Sequence, residues 1–333
     1  MSYIERRSQT GQPFFLTLNY QDPHPYFTAP EPYDTLFSPD QFTLPSNFRR
    51  EPVAGEPRRL EIWREHSRSR DAGEEDFKKA MAMYCGQIRY VDDQLGRVLD
   101  KLEELNLLES TIVLFWSDHG EFIGDYGVTH KMAAYYDSLI RIPMILRDPS
   151  GRIPTGRNHH IIEAMDIFAT ILDLCGIPQP SGSRAYSLLR ENYMPRTDAY
   201  AEGGLLIPPV DDPIPGLRLR APSPPTQFGP GAMLRTDQWK LCVHGYDCRE
   251  LYDLGSDPHE TNNLYNNPTY ATIIRDLTNR LVQRMLCYGQ APEHLPRPLI
   301  KKIACNGIPI WNKAASAVMQ CTGMLPGNKR SGE

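Results

Sequence analysis

The sequence predicts an α/β fold, with a mostly parallel central sheet sandwiched by helices and a small C-terminal α+β subdomain. Three observations lead there. Two nearly continuous apolar runs, TIVLFWSD (111–118) and IPMILRD (142–148), read as strands covered on both faces. Segments of helical periodicity flank them, and strand–helix–strand–helix is the rhythm of a sheet covered by crossover helices. Past residue 231 the pattern changes to closely spaced short strands closed by one helix. The 333 residues also suit one large domain plus a smaller one.

Taken in order, residues 3–7 read as the last turns of a helix. PFFLTLN (13–19), bounded by Gly11-Gln12 and by the cluster QDPHPYF, reads as a buried strand. Prolines at 23, 25, 30, 32, 39 and 45 exclude a helix to about residue 50. Residues 51–76 are charged and irregular, as in a surface excursion. From residue 77 to 105, Phe77, Met81, Tyr84, Ile88, Val91, Leu95, Val98, Leu102 and Leu105 recur at three- and four-residue spacing, one face of a long amphipathic helix. A helix follows over 163–174, with Ile167, Ile171 and Leu174 on one side and Gly176-Ile177-Pro178 as its stop signal. AMLRTDQWKLCVHG supplies two short strands about Asp237-Gln238, ELYDL a third, and 267–287 a closing helix. The expected division is a core over 1–204, a proline-rich loop over 205–231, the small sheet-plus-helix subdomain over 232–290, and an unassigned tail over 291–333.

Composition removes several function classes. Apolar residues are 40% and charged residues 23% of the chain, ordinary values for a folded protein, and no apolar stretch approaches the ~20 residues of a membrane span. A net charge of −5 gives no broad basic footprint, so bulk nucleic-acid binding is not expected. The seven cysteines form no CxxC and no metal-type pair. The first dozen residues lack the apolar core of a secretory leader, and the compartment stays open.

Chemistry concentrates in three places. In SDHGE (117–121), Asp118 and His119 sit at the end of a strand, where open α/β sheets place their sites, and a carboxylate beside an imidazole can share one cation. The alternative is that Asp118 caps the turn and His119 is a plain loop residue. The loop GDYG (124–127) leads to Thr129-His130-Lys131. Lys131 could neutralise an oxyanion or protonate a leaving oxygen, with His130 beside it as a further substrate contact; the alternative is a solvated lysine. His24, stiffened between Pro23 and Pro25, could donate to an anion or leaving oxygen, or be a histidine wedged in a proline turn. Asp92-Asp93 lies within the long helix, where consecutive side chains diverge, and reads as a solvated or capping pair; His159-His160 reads as surface.

Together, PFFLTLNYQDPHPYF, the stretch from YCGQIRYVDD to SDHGEFIGDYG, HKMAAYYDSLIRIPMILRD, and RTDQWKLCVHGYDCRELYDLGSDPHETNNL resemble the sulfatase family of the alkaline-phosphatase superfamily. The resemblance implies an alkaline-phosphatase-like fold and metal-dependent hydrolysis of a sulfate ester of a small molecule or glycan. It implies Asp118 and His119 as metal ligands, with Lys131 and His24 contacting the sulfate and the leaving oxygen from opposite sides. Calcium is the first expectation for the metal. Magnesium or manganese stay open, because position 119 is histidine where some members have asparagine, and imidazole suits softer cations. The family's Cys-x-Pro-x-Arg or Ser-x-Pro-x-Arg motif, whose first residue becomes the nucleophilic formylglycine, does not occur in the chain. The 333 residues therefore look like the C-terminal two-thirds of such an enzyme, inactive when made alone. The alternatives are a phosphonate or phosphodiester hydrolase of the same superfamily and a non-catalytic module that binds sulfated ligands.

Overall fold

The structure, a computed structural model, describes residues 2–132, 134–153, 155–189, 195–203, 230–245 and 247–288. The proline-rich loop, but for its last two residues, and the 291–333 tail lie outside the described residues. Helix α1 (Ser2–Thr10) is followed by an extended segment with single 3-10 turns at Tyr33–Thr35 and Pro39–Gln41, as the prolines dictate. Helices α2 (Arg58–His66) and α3 (Glu74–Glu104) precede strand β1 (Val113–Trp116). A loop containing the short helix α4 (Asp137–Ile140) leads to β2 (Met144–Arg147), and then comes α5 (Ala164–Leu174). Strands β3 (Ala199–Gly203), β4 (Gly231–Arg235), β5 (Trp239–His244) and β6 (Glu250–Asp253) form one sheet in that order, closed by α6 (Ala271–Tyr288). No helix among the described residues is long and apolar enough to cross a membrane.

The α/β class holds, but four expectations need correction. The described strand pairs are antiparallel, not mostly parallel: β1 runs against β2, with Leu114 opposite Leu146 and Phe115 opposite Ile145. The single turn of α4 is too short to carry the chain over a sheet face, so the connection folds back as a loop. Residues 13–19 pair with no described strand; they run extended with Phe15 68% exposed. The region read as a surface excursion contains α2, with Leu60, Arg59 and Arg64 fully buried. Apolar periodicity misses this helix because two of its inward residues are arginines. Finally, residues 199–203, placed in the core by sequence, form the edge strand of the C-terminal sheet, Tyr200 pairing with Leu234.

Two apolar cores follow. In the first, Leu60 of α2, Phe122, Tyr126 and Val128 of the 117–136 loop, Leu139 of α4 and Tyr252 of β6 pack together. In the second, Leu234, Leu241 and Leu251 of the sheet meet Leu277 and Leu281 of α6. Buried ions tie the two together. Arg59 pairs with Asp247 at 2.9 Å and with Glu250. Lys240, fully buried, pairs with Asp137 and with Glu260 at 2.7 Å, and donates to the carbonyl of Tyr135 at 3.0 Å. Such charges are tolerated inside only when paired. Burial alone would raise the Glu250 carboxyl, but Arg59 and His244 outweigh it and hold it down to about 2.

Candidate active site

Asp118 and His119 follow directly on β1, at the mouth of the loop that carries the remaining chemistry. The loop closes on itself: Gly124 N–H donates to the carbonyl of Val128 at 2.9 Å, Ile123 bridges to Thr129, and His130 N–H donates to the carbonyl of Phe122 at 3.2 Å. Its inward residues Phe122, Tyr126 and Val128 are anchored in the first core, so its ends meet at a fixed place. Gly127 has φ +70°, and a Cβ there would stand 1.9 Å from the carbonyl oxygen of Arg49. At Gly120 a Cβ would stand 2.0 Å from the carbonyl oxygen of Ser138, which packs the SDHGE turn onto α4. Any larger residue would push either end of the loop away.

This closure brings Lys131 back to His119. Lys131 Nζ lies 2.6 Å from His119 Nε2, and Asp118 Oδ2 lies 3.6 Å from the same nitrogen. The ring's tautomer follows from its other contact. Nδ1 is 2.7 Å from the carbonyl oxygen of Gly120, which can only accept, so Nδ1 carries the proton. The Nε2 lone pair of the neutral ring therefore faces the lysine ammonium. Asp118 (side chain 82% exposed) and Lys131 open to solvent, as groups that meet a ligand must. Glu121, the last residue of the motif and not singled out by sequence, lies close enough to Lys131 to feel its charge. Burial nevertheless pushes its carboxyl up to about 7, against the Phe122 N–H and Lys131.

His24 is carried on a separate, proline-bounded loop. Its Nδ1 donates to the carbonyl of Pro25 at 2.8 Å, which leaves Nε2 free for a ligand. Gln87, buried inside α3, anchors that loop through Asp22 Oδ1 at 3.0 Å and the carbonyl of Tyr26 at 3.3 Å. Sequence reasoning passed over Gln87; a polar residue on the buried side of an amphipathic helix was the available signal. Phe27 joins the two halves, its ring 6.0 Å from Tyr84 and 5.5 Å from His130. His130 has a left-handed backbone, φ +68°, a strained state for a histidine and one that concentrates at functional sites. Burial lowers its pKa, and the charges of His24 and His66 lower it further. His24 is thus near His130, while Asp118, His119 and Lys131 form a direct contact group.

The metal expectation meets half a donor set. Asp118 and His119 offer one carboxylate and one ring nitrogen, and no group of three or more His, Cys, Asp or Glu able to hold a metal occurs among the described residues. A hard cation wants about six oxygens, so these residues alone do not make a metal site. Asp93 is engaged elsewhere, by Arg89 at 2.8 Å and by the Tyr33 hydroxyl at 2.9 Å, so it is paired rather than simply solvated. His159 and His160 are exposed. The five described cysteines are all free thiols.

Comparison with known proteins places this arrangement. The family model described as Sulfatase matches residues 1–177, and that described as N-sulphoglucosamine sulphohydrolase, C-terminal, matches residues 228–286. The multifunctional alkaline phosphatase superfamily protein PehA of Trinickia caryophylli is 29% identical over 318 residues, covering 87% of this chain and 58% of that protein. The choline-sulfatase of Rhizobium meliloti is 27% identical, covering 79% of this chain and 48% of the relative. Among solved structures, the phosphonate monoester hydrolase SpPMH from Silicibacter pomeroyi superposes with a TM-score of 0.69 at 24% identity, over 85% of this chain and 58% of that one. The likeness shows the shared fold. The chain spans about half the length of the curated relatives it matches.

Proposed function

The chain belongs to the sulfatase family, and on that premise we propose that its site serves the hydrolysis of a sulfate ester carried by a small molecule or a glycan. The observation that carries the reading is the contact group at the end of β1: an exposed ammonium and an imidazole lone pair 2.6 Å apart, with a carboxylate beside them. Lys131 is a point charge suited to one anionic oxygen of the ester. His24 keeps Nε2 for the leaving oxygen. As imidazolium it would give that oxygen a proton as the S–O bond breaks, so that an alcohol rather than an alkoxide departs. His130, beside both, would contact the substrate. Asp118 and His119 would give two ligands to a divalent cation, calcium, magnesium or manganese, whose shell needs donors beyond the described residues.

No Cys-x-Pro-x-Arg or Ser-x-Pro-x-Arg occurs in the sequence, so the attacking group has no source in these 333 residues. Made alone, these 333 residues are therefore expected to bind a sulfate ester without turning it over. Calorimetric titration with 4-nitrophenyl sulfate should show binding that falls about tenfold or more in Lys131→Ala. Release of 4-nitrophenol should stay at the buffer rate. Sustained metal-dependent hydrolysis would refute the second statement, and affinity indifferent to Lys131 and His119 would refute the first. The rival substrate is a phosphonate ester, since a phosphonate monoester hydrolase shares the fold. Tighter binding of 4-nitrophenyl phenylphosphonate than of the sulfate would select it.

A further inference from the structure

A third histidine approaches His130 from an element the sequence did not reveal. Helix α2 ends at His66, an exposed residue whose ring lies 5.1 Å from that of Trp63, with 34° between the planes. Trp63 is fixed by its indole N–H, which donates to the carbonyl of Thr129 at 2.9 Å. The hydroxyl of Thr129 lies 2.9 Å from His130 Nδ1. An unbroken series of contacts thus runs from His66 through Trp63 and Thr129 to His130, and on to Phe27, three residues beyond His24. The proximity is electrostatic as well: after burial, positive charge on His24 and on His66 opposes protonation of His130. None of the three rings, His24, His66 and His130, meets a carboxylate within 4.0 Å among the described residues, unlike His119 and His244. With no paired carboxylate, charge on His24 or on His66 is repelled by charge on His130, and an anion beside His130 removes that repulsion.

We propose that His66 and His130 form a second anion subsite that takes a further sulfate group of a polysulfated substrate, while Lys131 and His119 address the ester to be cleaved. The proposal rests on the sulfate-ester reading of the main site. It gives α2 a role in selecting substrates: the helix is held by buried Arg59 and Arg64, and its last residue is presented toward His130 on a tryptophan platform. A substrate with one sulfate would leave the subsite hydrated. One with two would engage charge-assisted hydrogen bonds at both ends.

The test titrates the whole chain, at pH 6, with D-glucosamine 6-sulfate and with D-glucosamine 2-N,6-O-disulfate. The disulfate should bind about tenfold more tightly than the monosulfate. His66→Phe keeps a ring on Trp63 but has no donors, and should close that gap by weakening the disulfate; His66→Arg should reopen it. In NMR spectra the His66 ring resonances should shift with the disulfate and stay put with the monosulfate. A gap that survives His66→Phe, or His66 resonances blind to the disulfate, overturns the subsite while leaving the main site intact. Monosulfate binding unaffected by Lys131→Ala overturns the main-site reading instead, and failure of the unaltered protein to bind either sugar overturns both.

Discussion

Of the two sheets among the described residues, the β1–β2 pair has the more apolar strands, yet it buries less of them than the four-stranded sheet. In the four-stranded sheet Leu234, Leu241 and Leu251 have no exposed surface, because α6 lays Leu277 and Leu281 across them. In the β1–β2 pair, Leu114, Met144 and Leu146 line one face with Ile167, Ile171 and Leu174 of α5. The opposite face carries Phe115 and Ile145, the latter 66% exposed. Residues 13–19, similarly apolar, leave Phe15, Leu16 and Leu18 open to solvent. Hydrophobic strand sequence thus sets a capacity for burial, and a second layer has to realise it.

The difference can be tested by mutation, and the largest effect should come from the ions beneath the four-stranded sheet. Arg59→Met strands Glu250 in the interior and should cost about 3–5 kcal/mol in urea unfolding. Arg147→Met, which removes an ion pair to Glu109 (83% exposed) at the β1–β2 sheet, should cost about 1 kcal/mol or less. Equal losses would mean that the two sheets are stabilised alike. Next comes apolar packing. Leu251→Ala should lose about 2–5 kcal/mol through the cavity it opens, whereas Ile145→Ala should stay within ~0.5 kcal/mol. A large loss at Ile145 would show that its face is covered in solution.

A last test concerns pH and separates two buried glutamates of the same region. Glu250 is held low, so its contribution is present above about 4.5 and is lost as pH falls through about 2. Glu260 is the reverse: burial pushes it up to about 7 despite Lys240, so its contribution is present below about 4.5 and is lost as pH rises through about 7. Between those limits it should add a slope of up to about 1.4 kcal/mol per pH unit, and Glu260→Gln should flatten it. Stability measured from pH 4.5 to 7.5 with no change of slope in that variant would place Glu260 in a wetter setting.

Much of this was legible in the chain itself. The long helix, both apolar strands, the helix after them and the three hairpin-spaced strands near the C-terminus follow from periodicity and turn residues alone. So did the SDHGE and His130-Lys131 segments as places where chemistry could sit. What escaped was whatever depends on partners far away in sequence. Arg59 and Arg64 look like surface residues until Glu250, Asp247 and Glu56 are placed beside them. His66 carries no local signal of a role either, and the one signal of Gln87 is its place on the inward side of an amphipathic helix.

The sequence by itself determined most of the helices and strands, though not α2 or the state of residues 13–19, and which few side chains offer a carboxylate, an imidazole or an ammonium. Those are consequences of residue order over a turn or two. Only the tertiary structure decided that β1 and β2 run antiparallel, that residues 13–19 stand unpaired with any described strand, and that Lys131 comes back to 2.6 Å from His119. Strand direction, burial and ion pairing are settled by atoms that meet across dozens of positions, where apolar faces and desolvated charges choose among the arrangements that local preference leaves open.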